Sequence, residues 1–379
     1  MAMVINEEQQ MLKESAQGFL AEFAPVSALR KLRDEGSDIG YSVDLWRQMV
    51  DMGWAAILIP EAYGGLEFGH VGMGQIVEQT GRTLTASPLF ASAIVGASLI
   101  NLAGTEAQKT SLLGAIAAGE LTTALAVDEK THHAPRQISM AAVKQGDHYV
   151  LNGEKRFVVD GHSADKLLIA ARTSGVAGES SGISLFVVDR TASGVAVERT
   201  AMVDSRNAAN LRFTDVQVPV ADLLGEEGKG FAALSAALDI GNAYLAAELL
   251  GIAQESFDRT LQYLKERKQF GVLIGSFQAL QHRAAHWWSE VELCKSVVLK
   301  ALQALDSGDA KSPVMVSIAK AKLCEVTELA TNEAIQMHGG IGMTDEYEIG
   351  FFIKRARPAA TLYGGYAYHG DRFAQLCGY

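Results

Sequence analysis

Hydrophobic positions recur at helical spacing over the first hundred or so residues. They then shift to short alternating runs, and return to helical spacing up to the last residue. In EEQQMLKESAQGFLAEFA, Met11, Leu12, Ala16, Phe19, Leu20 and Phe23 make one stripe. It predicts an amphipathic helix with that stripe buried and a charged outer face. DLWRQMVDMGWAAILIPEAYGG predicts a second helix, stopped by Gly53 and then by the turn chemistry of Pro60, Gly64 and Gly65. A third, GTEAQKTSLLGAIAAGE, lies between Gly104 and Gly119.

After Leu121 the period changes. TALAVDE, MAAVKQ, HYVLNG, KLLIAAR, GISLFVVDR, GVAVERT and ANLRFTDVQV are short apolar or alternating runs separated by Gly, Asp, Asn or Ser. No helix long enough for a parallel crossover lies between them, which predicts an antiparallel sheet. TSGVAGESSG (173–182) reads as its most flexible loop. From Gly230 the helical period returns as one very long helix, broken at most by Gly241 and Gly251. Two more helices follow near 276–306 and 312–338, and such helices joined by short turns make a bundle. The expectation is an α+β multidomain protein: an N-terminal helical domain (1–121), a middle antiparallel β-domain (122–225) and a C-terminal helical bundle (226–379).

Composition narrows the function. Among 379 residues, 48% are hydrophobic and 20% charged, as in a globular protein with a large core. A net charge of −11 argues against a nucleic-acid partner. No basic leader with an apolar core opens the chain, and no apolar run approaches the roughly 20 residues of a membrane span, so a cytoplasmic, unprocessed protein is expected. Cys294, Cys324 and Cys377 lack metal-ligand spacing and read as reduced thiols. His132 with His133, and His282 with His286, carry no accompanying Glu in a zinc pattern, so no metal site is expected.

QMHGGIGMT (336–344) is more informative. Its glycines let the backbone turn sharply and approach a ligand closely, and backbone N–H groups in such a turn can hold a phosphate. Four stretches then occur in order: IPEAYGG (59–65), FTDVQVPVADLLGEEGKGF (213–231), RKQFGVLIGSFQALQHRAA (267–285) and QMHGGIGMTDEY (336–347). With the helix–sheet–helix plan, they resemble the acyl-CoA dehydrogenase family along essentially the whole chain. The resemblance implies α,β-dehydrogenation of an acyl-CoA thioester with FAD as cofactor. In that family FAD lies between the β-domain and the C-terminal helices, with its adenosine diphosphate arm reaching a neighbouring subunit. By the same resemblance, Arg267, Phe270, Phe277 and Gln278 match residues that clamp the arm, and Gln336, Gly339 and Gly340 match the turn that receives the pyrophosphate region. A guanidinium suits a phosphate. The family also implies a homo- or hetero-tetramer with a related chain, and an electron-transferring flavoprotein as electron acceptor.

The same comparison exposes departures. The family's base is a Glu, usually after a Tyr near the C-terminus; here Tyr363 is followed by Gly364. The alternative position, on the long helix, holds Gly241. Glycines at 241, 364 and 365 leave room near the reacting carbons. A Thr-Glu-Pro-Gly-like stretch that lines the flavin ring becomes AVDEKTHHAPR (126–136), leaving Val127 and Asp128 as the matching positions. The usual Trp-Ile-Thr strand reads Phe157, Val158, Val159, and Val159 has no hydroxyl to offer. The lost groups serve the ring and base in cis and the retained groups serve the arm in trans, as in the small-subunit type that lacks the catalytic Glu. A partner chain then supplies base and flavin pocket. Alternatively, Glu248 acts as a displaced base, seven residues and about 10.5 Å along the helix from Gly241. Asp239 and His369 are weaker candidates, and Tyr363, Tyr366 and Tyr368 are poor bases at a pKa of about 10. Different flavin chemistry, or a non-catalytic stabilising subunit, are the remaining alternatives.

Overall fold

The computed structural model describes residues 3–379, and the chain divides into two compact units that do not follow its order. One gathers the chain up to Asp34, His70–Thr85 and Asn242–Tyr379; the other gathers Glu35–Gly69 and Ala86–Gly241. The N-terminal helices are therefore shared between the units rather than forming a block of their own.

The second unit is built on eight strands: β1 (Thr123–Ala126), β2 (Ala141–Gln145), β3 (His148–Val159), β4 (Lys166–Arg172), β5 (Ile183–Asp189), β6 (Val195–Ala201), β7 (Asn207–Pro219) and β8 (Leu223–Leu224). Their order is β6-β7-β3-β2-β4-β5-β8, with β1 also on β4. The pairings are antiparallel except two, which corrects the expectation: β1 runs parallel to β4 from Thr123↔Lys166, and β2 meets β4 in parallel at Ala141↔Arg172. The crossover back to β4 needs no helix, because the β2–β3 hairpin forms the connection. KLLIAAR and ISLFVVD are apolar without alternation because β4 and β5 are covered on both faces. Tyr149 and Phe186 meet edge to face at 5.0 Å within this core. The 173–182 loop is pinned rather than loose: the buried Arg172 guanidinium donates to the carbonyls of Arg136, Ile138, Ser174, Glu179 and Ser181.

In the helical unit, Glu7–Phe23 begins with a capping box between Asn6 and Gln9. Ala16 and Leu20 are buried, but Met11 and Phe23 are exposed. The expected stripe is thus wider than the face that the His70–Thr83 helix covers. DLWRQMVDMG is helical only over Val43–Asp51, and Gly53 at φ +79 turns the chain into a single 3₁₀ turn, Trp54–Ala56.

Phe231–Glu266 runs unbroken for 36 residues through both suspected glycine breaks. Gly251 is a contact, not a hinge. A Cβ there would strike the carbonyl oxygen of Glu78, and a Cβ at Gly81 would strike that of Glu248, so two helix backbones cross in reciprocal contact. Gly251→Val is expected to cost about 3 kcal/mol by overpacking, read as a lower midpoint in denaturant unfolding with an unchanged slope. The helix is long and apolar enough to cross a bilayer, yet 89% of its apolar window is buried inside the protein. Gln278–Asp306 and Ser312–His338 complete the long helices, followed by Ile349–Thr361 and Tyr366–Leu376.

Candidate functional site

Arg267 leaves the long helix and opens a hairpin, Lys268–Gln269 against Val272–Leu273. Its turn residues, Phe270 and Gly271, have φ of +54° and +80°, the left-handed pair of a type I′ turn. A phenylalanine there is costly, and its ring is 91% exposed. Phe277 lies edge-on at 6.3 Å, and exposed Gln278 begins the Gln278–Asp306 helix. Ser312–His338 ends at Gly339 with φ +64° and ψ −139°, a conformation open to glycine alone. Gln336 is exposed, and a Cβ at Gly339 or Gly340 would meet nothing, so a ligand can reach that backbone directly. Leu264, Ile274 and Met337 share one small apolar core beneath both segments. The hairpin and the glycine turn therefore form one surface.

The turn at the C-terminus of Ile349–Thr361 is locked from several sides. Tyr363 has φ +53° and Gly364 +101°. The fully buried Lys320 ammonium donates to the carbonyls of Ala360, Leu362 and Gly364 at 3.0, 2.9 and 2.9 Å. Burial pulls its pKa down to about 8, against the smaller opposing effect of the neighbouring Cys324. Asn242 Nδ2 donates to the Tyr363 carbonyl at 3.2 Å, and His369 Nε2 lies 3.2 Å from the same oxygen. A Cβ at Gly364 would strike the Tyr368 ring near its root. The room expected from that glycine is filled.

Glu248 is buried in a bidentate ion pair: Arg355 Nε and a terminal nitrogen donate to its two oxygens at 2.8 Å each. Both oxygens are engaged by the guanidinium in charge-assisted hydrogen bonds. This geometry is that of a structural ion pair, which the alternative role of Glu248 as a displaced base would have to break.

The positions that match the flavin-ring contacts lie in the sheet unit. Val127 is buried and its carbonyl accepts from Lys155 Nζ at 2.9 Å. The same ammonium reaches Glu129 Oε1 at 2.8 Å, and Glu129 also accepts from the Ser139 and Met140 N–H groups. Asp128 holds His133 Nδ1 at 2.8 Å and the Ala134 N–H at 3.0 Å. Phe157 sits in a β3/β7 bulge with φ +50° and a half-exposed ring, and Val159 stands in the ladder opposite Ala208. The acid pair and the loop carbonyl thus serve the loop itself.

These residues fit the two ends of an FAD unequally. Exposed aromatics, a guanidinium and open glycine backbone suit the nucleotide arm. At the ring end no hydroxyl stands at 159, and the loop acids are already bonded. Sequence reasoning missed Lys320, Asn242 and Arg355, and took Tyr368 only as a poor base. Lys320 alone carries a signal, since it falls among Val316, Ala319 and Leu323 in the apolar phase of its helix.

Three family domains match in order: "Acyl-CoA dehydrogenase, N-terminal domain" over residues 6–120, "middle domain" over 123–216 and "C-terminal domain" over 228–375. A cyclohex-1-ene-1-carbonyl-CoA dehydrogenase of Syntrophus aciditrophicus is 32% identical over 362 residues, 93% of this chain and 86% of that one. A solved structure from work on the electron transferring flavoprotein of Acidaminococcus fermentans is 28% identical, with a TM-score of 0.92 over the whole of both chains. A Tcur3481–Tcur3483 steroid ACAD is 29% identical, with a TM-score of 0.88 over 98% of each chain. The chain belongs to the acyl-CoA dehydrogenase family, FAD-dependent oxidoreductases that act on CH–CH groups of acyl-CoA thioesters.

Proposed function

We propose that this chain is one subunit of an unequal acyl-CoA dehydrogenase pair. It clamps the nucleotide arm of FAD, and a related chain supplies the carboxylate that removes the α proton. The observation that carries this reading is the turn at Tyr363–Gly364. The Tyr368 ring takes the volume of any side chain at 364, and Lys320 ties down the carbonyls around it. A carboxylate cannot enter without displacing that ring. The ion pair of Glu248 with Arg355 counts against Glu248 as a substitute on the long helix.

The reaction takes a proton from the carbon α to the thioester and a hydride from the β carbon, and FAD when bound is the hydride acceptor. On this chain, Arg267 neutralises a phosphate of the arm, and Phe270 and Phe277 offer it apolar faces. Gln278, Gln336 and the backbone of Gly339 and Gly340 offer hydrogen bonds. Val127, Asp128, Phe157 and Val159 keep their places in the sheet unit without the hydroxyl that the ring would use. Two similarities support the pairing and the electron route: one solved structure bears the paired name Tcur3481–Tcur3483 steroid ACAD, and another comes from work on an electron transferring flavoprotein. We read an electron-transferring flavoprotein as the acceptor here too.

Flavin content tests the reading. The chain purified alone is expected to carry almost no FAD after denaturation and absorbance, and the co-expressed pair roughly one FAD per completed site. Roughly one FAD per chain in the protein alone would overturn the half-site.

A further inference from the structure

We infer that His338 is the positioning residue of the glycine turn at 339–343, and that protonating its ring releases the turn. What the turn binds rests on the reading above; how it is held rests on the geometry that follows. His338 is the last residue of its helix and is almost fully buried. Its ring lies between two tyrosines, 4.4 Å from Tyr263 at 30° and 4.9 Å from Tyr347 at 41°. The Tyr263 hydroxyl donates to the His338 carbonyl at 3.3 Å. From the other side, a Cβ at Gly342 would press on the His338 Cβ and the Ile335 carbonyl, so the turn folds directly over the root of the ring. Three separated segments thus meet in one aromatic column under the exposed glycines.

This column is built for a neutral imidazole. Nδ1 lies 2.7 Å from the Ala334 carbonyl and so carries the proton. Nε2 is buried with no hydrogen-bond partner among the described residues. A second proton there would place an unsatisfied N–H and a charge in a dry stack. Glu266 of the long helix acts on Tyr347 and accepts from the Gln262 amide, while Arg259 is the charge that acts on the His338 ring. From the long helix the ring faces Tyr263 and feels Arg259; from the segment after the turn it faces Tyr347, beside Glu348. Arg259 already holds Glu255 at 2.8 Å and Glu348 at 2.9 Å. Burial first, and then the Arg259 charge, push the His338 pKa below its ordinary 6.5, against the pull of the Ala334 carbonyl. A folded value below the unfolded one means that the opened turn binds the extra proton. The contribution of the column is complete above pH 6.5 and declines as the pH falls below it.

The test is amide hydrogen exchange on the full chain, corrected for the intrinsic pH dependence of exchange. Between about pH 7.5 and about pH 5.5, protection at 339–343 is expected to fall by about tenfold, with the long helix unchanged. His338→Phe keeps a ring in the stack with nothing to protonate, and its protection should not follow pH. Unchanged protection in the wild type, or the same loss in His338→Phe, overturns the proposal. If that variant does not fold, the titration of His338 by NMR in the wild type decides: a midpoint at or above 6.5 overturns it. In the flavin-loaded assembly the same acidification should release FAD, seen as rising flavin fluorescence. Flavin retained over a loosened turn would instead overturn the reading of what the turn binds.

Discussion

Glu248→Gln is expected to destabilise the folded chain by about 3–5 kcal/mol, and not to remove turnover from an otherwise intact protein. The glutamate and Arg355 form a bidentate pair in the interior, so a neutral amide strips the buried guanidinium of a charge-assisted, two-pronged partner. Such a loss exceeds what an exposed pair could show, since those contribute at most about 1 kcal/mol. Replacing both partners by methionine removes the buried ion pair as a whole, and the double variant is expected to recover most of the stability. Denaturant midpoints of the single and double variants measure this directly. If Glu248→Gln unfolds at the wild-type midpoint while the assembled enzyme stops turning over, Glu248 is the base and the partner reading falls.

Lys320→Met is expected to cost about 3–5 kcal/mol and to loosen the 360–365 turn locally. The ammonium is the common donor to the carbonyls of Ala360, Leu362 and Gly364, which a helix end leaves without intrahelical partners. Methionine fills much of the volume but donates nothing. The Ala360 carbonyl keeps the Cys324 thiol at 3.3 Å, but those of Leu362 and Gly364 lose their donor at about 1–3 kcal/mol each, and relief of the buried charge offsets only part of the sum. Exchange at the Tyr363 and Gly364 amides reports the local effect, and unfolding midpoints the global one. A variant with wild-type stability and an undisturbed turn would show that Asn242 and His369 suffice.

How much of this was legible depended on distance along the chain. KLLIAAR and ISLFVVD announced covered strands because burial on both faces suppresses alternation. The glycines at 339 and 340 announced backbone open to a ligand, whereas the tight turn at Phe270–Gly271 went unread. The helix at His70–Thr83 went unread, because HVGMGQIVEQTGRT owes its helix to close packing against Gly251 rather than to its own stripe. Met11 and Phe23 look like core by periodicity, yet the pattern does not say how wide a face the neighbouring helix covers. Glu248 looked like a candidate base for the same reason. Its partner stands 107 residues later, and nothing local marks Arg355 as that partner. The parallel β1–β4 pairing joins segments on either side of a whole hairpin, beyond the reach of any local run.

The mutual exclusion of a side chain at 364 and the ring at 368 also has a historical meaning. A single substitution at Gly364 meets Tyr368, and a single substitution at Tyr368 only opens a hole. Under the pairing proposed above, neither step alone yields a working acid, and a division of labour fixed by that ring behaves as a ratchet.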